Sequence, residues 1–206
     1  MMRTLVIDCA TEACSVALLE DGAAVGGEFR VLGRGHAEQL VPMIAALPDK
    51  GKAQRIAVAV GPGSFTGVRV GLAAARALAF AWEAELIGYP TLDLVAAMAR
   101  NRRGDQPVTA AMTGGHGEWF VQTFAADGTQ MGALASLPPQ AAAEQSAALV
   151  SGTQAEALVG LRGSGEALVL LPDARDFALL PPAALQSDPK PLYGRAPDAK
   201  LPQVAL

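Results

Sequence analysis

The order of strand-like and helix-like segments in its first half restricts the fold of this chain more than any other feature of the sequence. Three segments rich in β-forming residues follow one another across short polar turns, which indicates three antiparallel strands. Two segments with helical spacing come next, with another strand between them. In order, these segments are residues 4–8, 15–19, 23–31, 36–47, 55–60 and 68–83. The pattern predicts an α/β protein with a mixed sheet covered by helices.

The same order of segments occurs in the ribonuclease H-like unit on which actin, Hsp70 and sugar kinases are built. Further segments extend it: a strand at 86–88, a helix at 91–100, a linker at 101–107 and strands at 108–112 and 119–124. Beyond them the periodicity is weaker, which indicates a smaller and less regular second lobe. We therefore predict an actin/Hsp70-like two-lobe fold, with residues 1–103 in the first lobe and 104–206 in the second.

Composition and charge narrow the class of protein. Of the 206 residues, 51% are hydrophobic and 17% are charged, so the chain has enough apolar material for a substantial core. The formal net charge is −4, and the nearest approach to a basic cluster is Arg100, Arg102 and Arg103. Because autonomous nucleic-acid binding needs a larger basic face, any contact with RNA is expected to be shared with a partner.

The beginning of the chain and its apolar runs indicate a cytoplasmic protein. The opening MMRTLVIDCA lacks the basic stretch, apolar run and cleavage site of a secretory signal. The longest apolar helical run, residues 70–82, is interrupted by Arg76 and falls short of the roughly 20 residues that a membrane span requires. No contact with a membrane is expected.

The cysteines and histidines do not form a pattern typical of a metal site. Cys9 and Cys14 are the only cysteines, so a second pair for a zinc site is missing, and two buried thiols are expected. His36 and His116 each lack a second His or Cys at ligand spacing, which favours structural or surface roles. We predict no metal and no cofactor.

Asp8, Thr11 and Ser15 lie across the first tight turn, where actin-like folds handle phosphate. A carboxylate there could hold hydrated magnesium, and hydroxyls with backbone amides could bind phosphate. An Asp at a strand end is also an ordinary turn former, so the pattern is compatible with both interpretations. The three residues are candidates for a vestigial phosphate-binding hairpin.

A glycine-rich loop, residues 61–67, lies between a strand and the alanine-rich helix. Free amides at such a helix N-terminus can receive an anion. The loop lacks the Lys of a Walker motif, has Thr66 where a dinucleotide fingerprint needs Gly, and has Pro62 where a hydrolase elbow needs Gly. Ser64 is therefore interpreted as a turn or cap residue rather than a nucleophile, and Ser64 and Thr66 are both suitable N-caps.

Small residues recur at every fourth position of the helix that follows this loop. Gly67, Gly71, Ala75 and Ala79 form a smooth stripe that another backbone could approach closely. Large apolar residues occupy much of the remaining surface and leave little polar face. Either the helix is wholly internal, or it packs on its own sheet with one side and on a partner with another.

Several long motifs resemble those of one family. DCATEACSVALLEDG (8–22), HAEQLVP (36–42) and GPGSFTGVRVGLAAARALA (61–79) are similar to the signatures of the TsaB (YeaZ) family, and PLYGRAPDAK (191–200) is similar to its tail. The resemblance covers roughly the first 95 residues and the last ten or so, and motifs of this length are rarely matched by chance. The second lobe matches weakly: the family commonly carries Asp-Ala-Arg where this chain has Thr-Gly-Gly at 113–115.

The resemblance implies a bacterial subunit that pairs with its catalytic paralogue TsaD. With the small ATPase TsaE, that pair transfers threonylcarbamoyl to N6 of adenosine 37 in tRNAs that read codons beginning with A. In the family, the helices that match residues 36–47 and 66–83 contact TsaD, and the same face supports homodimers. The implied interface residues are His36, Leu40, Ile44, Gly67, Val68, Gly71, Leu72, Ala75 and Ala79. The tRNA is expected to be bound only through the complex.

The resemblance also implies that this chain is not itself a catalyst. The paralogue has a His-x-x-x-His metal pair shortly after the helix, and those positions match Thr91 and Val95 here. Neither side chain can replace imidazole as a metal ligand. Two alternatives stay open: an ATP-dependent phosphotransferase or ATPase that uses Asp8 and Thr11, and a peptidase that acts on the paralogue. A peptidase needs an activated Ser or Cys, and the sequence shows no Ser/His/Asp arrangement.

Overall fold

The computed structural model describes residues 1–194, so the tail motif at 191–200 lies partly outside the described residues. The described residues form two five-stranded sheets with helices packed on them. Both sheets contain parallel and antiparallel pairs, as a mixed α/β fold requires.

The first sheet is built from the strands β1 (Arg3–Asp8), β2 (Ala13–Glu20), β3 (Ala23–Val31), β4 (Arg55–Ala59) and β5 (Glu85–Tyr89). Its spatial order is β3-β2-β1-β4-β5, with β1, β2 and β3 antiparallel and β1, β4 and β5 parallel. The central strand β1 is buried beyond Arg3, because elements pack on both of its faces. The three antiparallel strands and the following parallel strand confirm the predicted order.

Three helices accompany this sheet: α1 (His36–Ala46), α2 (Phe65–Trp82) and α3 (Thr91–Arg103). Helix α2 begins three residues earlier than predicted because Ser64 caps it, with its Oγ accepting a hydrogen bond from the Gly67 N–H at 3.1 Å. Helix α3 continues through residues 101–103, so their assignment to a linker is wrong. Arginines in this last turn interact favourably with the helix dipole, and the helix ends at Gly104 with φ 83°.

The second sheet is built from β6 (Val108–Thr113), β7 (Trp119–Phe124), β8 (Gln130–Leu137), β9 (Leu149–Ser151) and β10 (Glu166–Leu168), with helices α4 (Pro139–Glu144) and α5 (Ala155–Arg162). Its order is β10-β9-β6-β7-β8. The predicted hairpin is confirmed, with Val108 opposite Phe124 and Thr113 opposite Trp119. The sequence does not predict the later elements, and the strands β9 and β10, of three residues each, are too short to show a period.

After β10 the chain crosses back to the first sheet as a C-terminal segment, residues 170–194. Its short 3-10 helix, Ala174–Leu179, packs against β2 and α3. Near its end, the Leu192 N–H donates a hydrogen bond to the Val60 carbonyl at 2.7 Å. The C-terminal segment therefore completes the covering of the first sheet, and the predicted domain bounds stay predictions.

Hydrophobic side chains fill one large core, which extends from the first sheet to residues of the second such as Phe124, and a smaller cluster at the second sheet. The large core joins the first sheet and α1 to α3 to the C-terminal segment, for example through Leu170 and Ala174. The smaller cluster groups Ala111, Val150 and Leu158 between the second sheet and α5. Within the described part of the chain, no helix is long and apolar enough to cross a lipid bilayer.

Candidate functional site

The carboxyl group of Asp8 is buried at the end of β1 and is bonded by groups of the protein itself. Its Oδ1 accepts a hydrogen bond from the Ala10 N–H at 3.0 Å, and its Oδ2 accepts one from the Tyr89 hydroxyl at 3.2 Å. Desolvation raises the pKa of Asp8 from its ordinary 3.8 to about 7, against the lowering effect of these hydrogen bonds. Because the carboxyl group is buried, it is not exposed to bind a hydrated magnesium ion.

The two hydroxyl residues of the predicted phosphate-binding hairpin have different surroundings. Ser15 is completely buried: its Oγ accepts a hydrogen bond from the Ala174 N–H at 2.8 Å, and its hydroxyl donates to Asp173 Oδ1 at 3.4 Å. The Thr11 Oγ1 accepts a hydrogen bond from the Ala13 N–H at 3.1 Å and closes the turn. Ser15 therefore anchors the C-terminal segment to the hairpin, whereas Thr11 borders a cleft.

A cleft of about 790 Å³ lies where the two sheets face each other. The β1–β2 turn, the start of α2, the β6–β7 hairpin and the end of the C-terminal segment line it. The polar and charged lining residues are Thr11, Glu12, Ser64, Arg69, Thr113, His116 and Tyr193. Asp8 is not part of the lining, so the structure does not bring the predicted carboxylate into this cavity.

Arg69 ties the end of the C-terminal segment to the start of α2. Its guanidinium carbon lies 3.5 Å from the centre of the Phe65 ring, and its Nε and Nη2 donate hydrogen bonds to the Tyr193 hydroxyl at 3.2 and 3.0 Å. The Phe65 and Tyr193 rings lie 5.7 Å apart. Sequence reasoning missed this wall of the cleft, because Tyr193 lies 124 residues from Arg69 and no local pattern joins them.

The glycines of the loop before α2 allow close backbone packing. The Ser64 N–H donates a hydrogen bond to the Ala10 carbonyl at 2.7 Å. A Cβ on Gly63 would lie 1.9 Å from the Ala10 carbonyl oxygen, and one on Gly67 would lie 2.0 Å from the Cys9 carbonyl oxygen. Contact with the β1–β2 turn therefore accounts for these glycines without an anion.

The small-residue stripe of α2 faces the protein's own sheet. The predicted interface residues of this helix are all buried: Gly67, Val68, Gly71, Leu72, Ala75 and Ala79. A Cβ on Gly71 would lie 3.6 Å from side-chain atoms of both Cys9 and Val58, which is ordinary core contact. In the free chain these side chains pack α2 onto the first sheet, so their contact with a partner stays a prediction.

The predicted interface residues of α1 are buried in the same way. Leu40 and Ile44 belong to the large core. The His36 Nε2–H donates a hydrogen bond to the Ala13 carbonyl at 3.2 Å, so His36 has the structural role that its isolation in the sequence indicates. All three side chains are buried in the free chain, so their predicted contact with a partner stays a prediction.

The outer sides of α1 and α2 form an apolar surface, which we call the helix-pair face. The two helices pack against each other, and the exposed residues of the face are Ala37, Val41, Ala45, Ala73, Ala77 and Phe80. Phe80 is 90% exposed and Val41 is 62% exposed. Arg76 also lies on this side of α2, one turn from both Ala73 and Phe80, and its guanidinium donates a hydrogen bond to the Pro189 carbonyl at 3.0 Å. The face is therefore mainly apolar, with a positive charge at its edge.

The positions that match the paralogue's metal-binding histidines are completely buried in α3. Thr91 and Val95 lie one turn apart, and the Thr91 N–H donates a hydrogen bond to the Gly61 carbonyl at 2.8 Å. The Thr91 Oγ1 has no hydrogen-bond partner. In the part of the chain that the structure describes, no group of three or more His, Cys, Asp and Glu residues is placed to hold a metal ion.

The sequence is similar to proteins of tRNA modification. Residues 30–156 match the family described as "TsaD: tRNA N6-adenosine threonylcarbamoyltransferase". The "tRNA threonylcarbamoyladenosine biosynthesis protein TsaB" of Escherichia coli (strain K12) is 40% identical over 131 residues, which cover 61% of this chain and 56% of the relative. The protein of the same name from Haemophilus influenzae is 37% identical over 116 residues, covering 54% and 49%. The chain thus spans about half the length of the curated relatives it matches.

Two solved structures share the architecture over most of the chain. "YeaZ from Pseudomonas aeruginosa" has a TM-score of 0.73 at 32% identity and covers 87% of this chain and 90% of that one. A protein from the same organism, described as having "similarity to peptidase YEAZ", has a TM-score of 0.74 at 32% identity, covering 85% and 88%.

With its two mixed sheets and flanking helices, the molecule is an actin/Hsp70-like protein of two lobes, as predicted. It belongs to the family that the TsaD description covers, and within it to the TsaB (YeaZ) family.

Proposed function

We propose that this chain is a non-catalytic subunit of the system that makes threonylcarbamoyladenosine in tRNA, and that it binds a TsaD-type catalytic paralogue. The names of its relatives support the biosynthetic process. The helix-pair face is the observation that carries the subunit role, because it is an apolar surface that the described chain leaves in solvent. TsaE and tRNA join through the complex rather than through this chain alone.

The composition of the helix-pair face suits a protein partner. The centres of protein interfaces are depleted in charge and enriched in aromatic residues, and Phe80 supplies such a ring. Ala73 and Ala77 beside it allow the partner's backbone to approach closely. Because a second copy of the chain would present the same apolar residues, this face also accounts for a homodimer in the absence of the paralogue.

The buried stripe supports this role indirectly. Gly67 and Gly71 let α2 lie close to the first sheet, where a Cβ on Gly67 would collide with the Cys9 carbonyl. The position of α2 in turn fixes the height and direction of Phe80. The stripe is therefore a positioning element for the proposed interface rather than part of its contact surface.

The absence of a catalytic role rests on the chemistry of two places in the chain. Thr91 and Val95 provide no imidazole where the resemblance puts the paralogue's metal ligands. Asp8 is buried and bonded by Ala10 and Tyr89, so its carboxyl group is not available to a substrate. We therefore assign the catalytic residues of the reaction to the partner.

Light scattering of this chain, alone and mixed with TsaD, tests the proposal. We expect a stable heterodimer that Ala77→Arg abolishes, because the substitution would bury an unpaired charge in the interface. Ala157→Arg, on the exposed side of α5, is the matched control and should bind like the unchanged chain. A reconstituted assay adds a functional readout: full modification of tRNA in the absence of this chain would refute the proposal.

The cleft favours a second candidate, an ATP-dependent phosphotransferase or ATPase. Thr11 and the N-terminus of α2 border a cavity of a size that suits a nucleotide. Calorimetry of the isolated chain with ATP and magnesium decides between the candidates, since the absence of binding would remove this one. The peptidase alternative gains nothing from the structure, because Ser64 serves as the N-cap of α2.

A further inference from the structure

Cys9 and Cys14 face each other across the β1–β2 hairpin, and neither thiol has a part in the proposed function. Their Sγ atoms are 3.6 Å apart and share a thiol–thiol hydrogen bond, and both residues are fully buried. Cys9 directly follows Asp8 and Cys14 directly precedes Ser15, and Asp8 and Ser15 are the last pair of the β1–β2 ladder. The two cysteines therefore lie opposite each other where the hairpin turn begins.

The placement of the two residues satisfies the main requirement for a disulfide. Directly opposite residues of an antiparallel pair have Cβ atoms about 4.5–5.5 Å apart, and disulfides need roughly 3.5–4.5 Å. An S–S bond is about 2.0 Å long, so closing it requires the sulfurs to approach by rotation of the two side chains. The strands already hold the backbone on both sides of the intervening turn.

The hairpin turn connects this pair to the cleft and to α2. Ala10 and Thr11, between the two cysteines, line the cleft. On the other side, the Cys9 carbonyl oxygen lies against Gly67 and its Cβ lies 3.6 Å from the Cβ position of Gly71. A change in the covalent state of the pair therefore acts on the turn and on the packing of α2.

We propose that Cys9 and Cys14 are an intramolecular thiol–disulfide exchange site, oxidised by a low-molecular-weight disulfide such as glutathione disulfide. One cysteine thiolate attacks the small disulfide, forms a mixed disulfide and releases one small thiol. The second cysteine thiolate then attacks the mixed disulfide, forms the Cys9–Cys14 bond and releases the second small thiol. Two electrons pass to the small disulfide, and the two cysteine protons end on the two thiols released.

Burial sets the rate of this exchange. Because both sulfurs are shielded, the turn has to open before a small disulfide can reach either of them. A bulky aromatic disulfide reagent should therefore react slowly with the folded chain and fast with the chain unfolded in urea. The inference does not depend on the proposed function, since it concerns the isolated chain.

The equilibrium in glutathione buffers tests the proposal. The full chain is incubated, either folded or in urea, at graded ratios of glutathione disulfide to glutathione. The exchange is then quenched with acid, the remaining thiols are alkylated, and the mass of the chain is measured by mass spectrometry. We expect the folded chain to lose two hydrogen atoms and resist alkylation, with a disulfide-to-dithiol ratio about tenfold or more above that in urea, because folding holds the sulfurs in contact. A smaller gain overturns the proposal.

Single variants identify the bond that forms. Cys9→Ser and Cys14→Ser should each stop at a mixed disulfide or stay reduced, and neither should lose two hydrogen atoms. A disulfide-linked dimer of the unchanged chain on a non-reducing gel would contradict an intramolecular bond. If either variant fails to fold, the comparison of the unchanged chain with and without urea still decides.

Discussion

The β1–β2 hairpin and the helix-pair face differ in how far the rest of the chain shields their side chains from solvent. At the hairpin, the polar groups of Asp8 and Ser15 are bonded by Tyr89 and by the C-terminal segment. On the helix-pair face, Phe80 and Val41 stay in solvent. Asp8 and Ser15 of the predicted phosphate-binding hairpin are thus closed off by the protein, whereas the helix-pair face is left open, which supports the proposed binding of a partner.

Asp8→Asn should have the largest effect on the free energy of unfolding, and it tests whether the Asp8 carboxyl group is shielded from water. The folded-state pKa of Asp8, about 7, lies above its ordinary 3.8, so the unfolded chain gives up this proton first as pH rises. The contribution of protonated Asp8 to the free energy of unfolding is therefore fully present below about pH 4. It is lost as pH rises to about 7, and the loss amounts to about 4 kcal/mol at most. Asn keeps the neutral shape at every pH.

Urea denaturation of the unchanged chain and Asp8→Asn across this pH range measures the effect. The variant should gain stability relative to the unchanged chain as pH rises, because it has no proton to lose. Parallel pH profiles for the two proteins would mean that the Asp8 carboxyl group is solvated after all.

Gly67→Ala should have the next largest effect on the free energy of unfolding, and it tests which side of α2 packs on the first sheet. Its Cβ would lie 2.0 Å from the Cys9 carbonyl oxygen, so backbone has to move and the free energy of unfolding should fall by about 3 kcal/mol. Gly71→Ala meets only ordinary contacts at 3.6 Å and should be neutral or stabilising by about 0.5–1 kcal/mol. Equal effects of the two substitutions in urea denaturation would contradict the packing of this helix.

Phe80→Ala should leave the fold intact and weaken binding to TsaD. The ring is 90% exposed in the free chain, so its loss should change the free energy of unfolding little. In the complex it should act as an anchor, and its removal should cost about 2 kcal/mol, roughly a 30-fold rise in Kd by calorimetry. Leu161→Ala, an exposed apolar residue of α5, is the matched control and should bind normally.

Ser15→Ala should have the smallest effect, on the attachment of the C-terminal segment. It leaves the buried Ala174 N–H without its acceptor, which should lower the free energy of unfolding by about 1–2 kcal/mol. Ser136→Ala removes a hydroxyl that donates to Glu118 and should be nearly neutral, because a carboxylate can be solvated instead. Faster proteolysis near residue 174 in the first variant alone would localise the effect.

The first sheet could be predicted from the sequence because its signals are local. Runs of β-forming residues, turn residues and the Ser64 cap all lie within a few residues of the elements they define. The hydrogen bonds of Asp8 to Tyr89 and of Ser15 to Ala174 could not be predicted, since they join residues far apart in the chain. The short strands β9 and β10 likewise depend on their neighbours rather than on a period of their own.

The orientation of α2 shows what a pattern of small residues leaves undecided. The repeat from Gly67 to Ala79 defines a smooth side of the helix but does not say what covers it. Arg69 and Arg76, seven residues apart, lie on the opposite side, and both are exposed. Because long charged side chains seldom enter a core, these two residues were the signal that the stripe is internal.

Because the chain returns to the first sheet at residues 170–194, that sheet can be fully covered only after this late segment has been synthesised. Residues of the first sheet and its loops, which leave the ribosome early, form hydrogen bonds with residues that leave it late. The pairs are Ser15 with Ala174, Gly88 with Gln186, and Val60 with Leu192. During synthesis, one face of the first sheet therefore stays uncovered until residues 170–194 have been made. Deletion of residues 170–194 should consequently destabilise the first sheet, although it removes none of that sheet's strands.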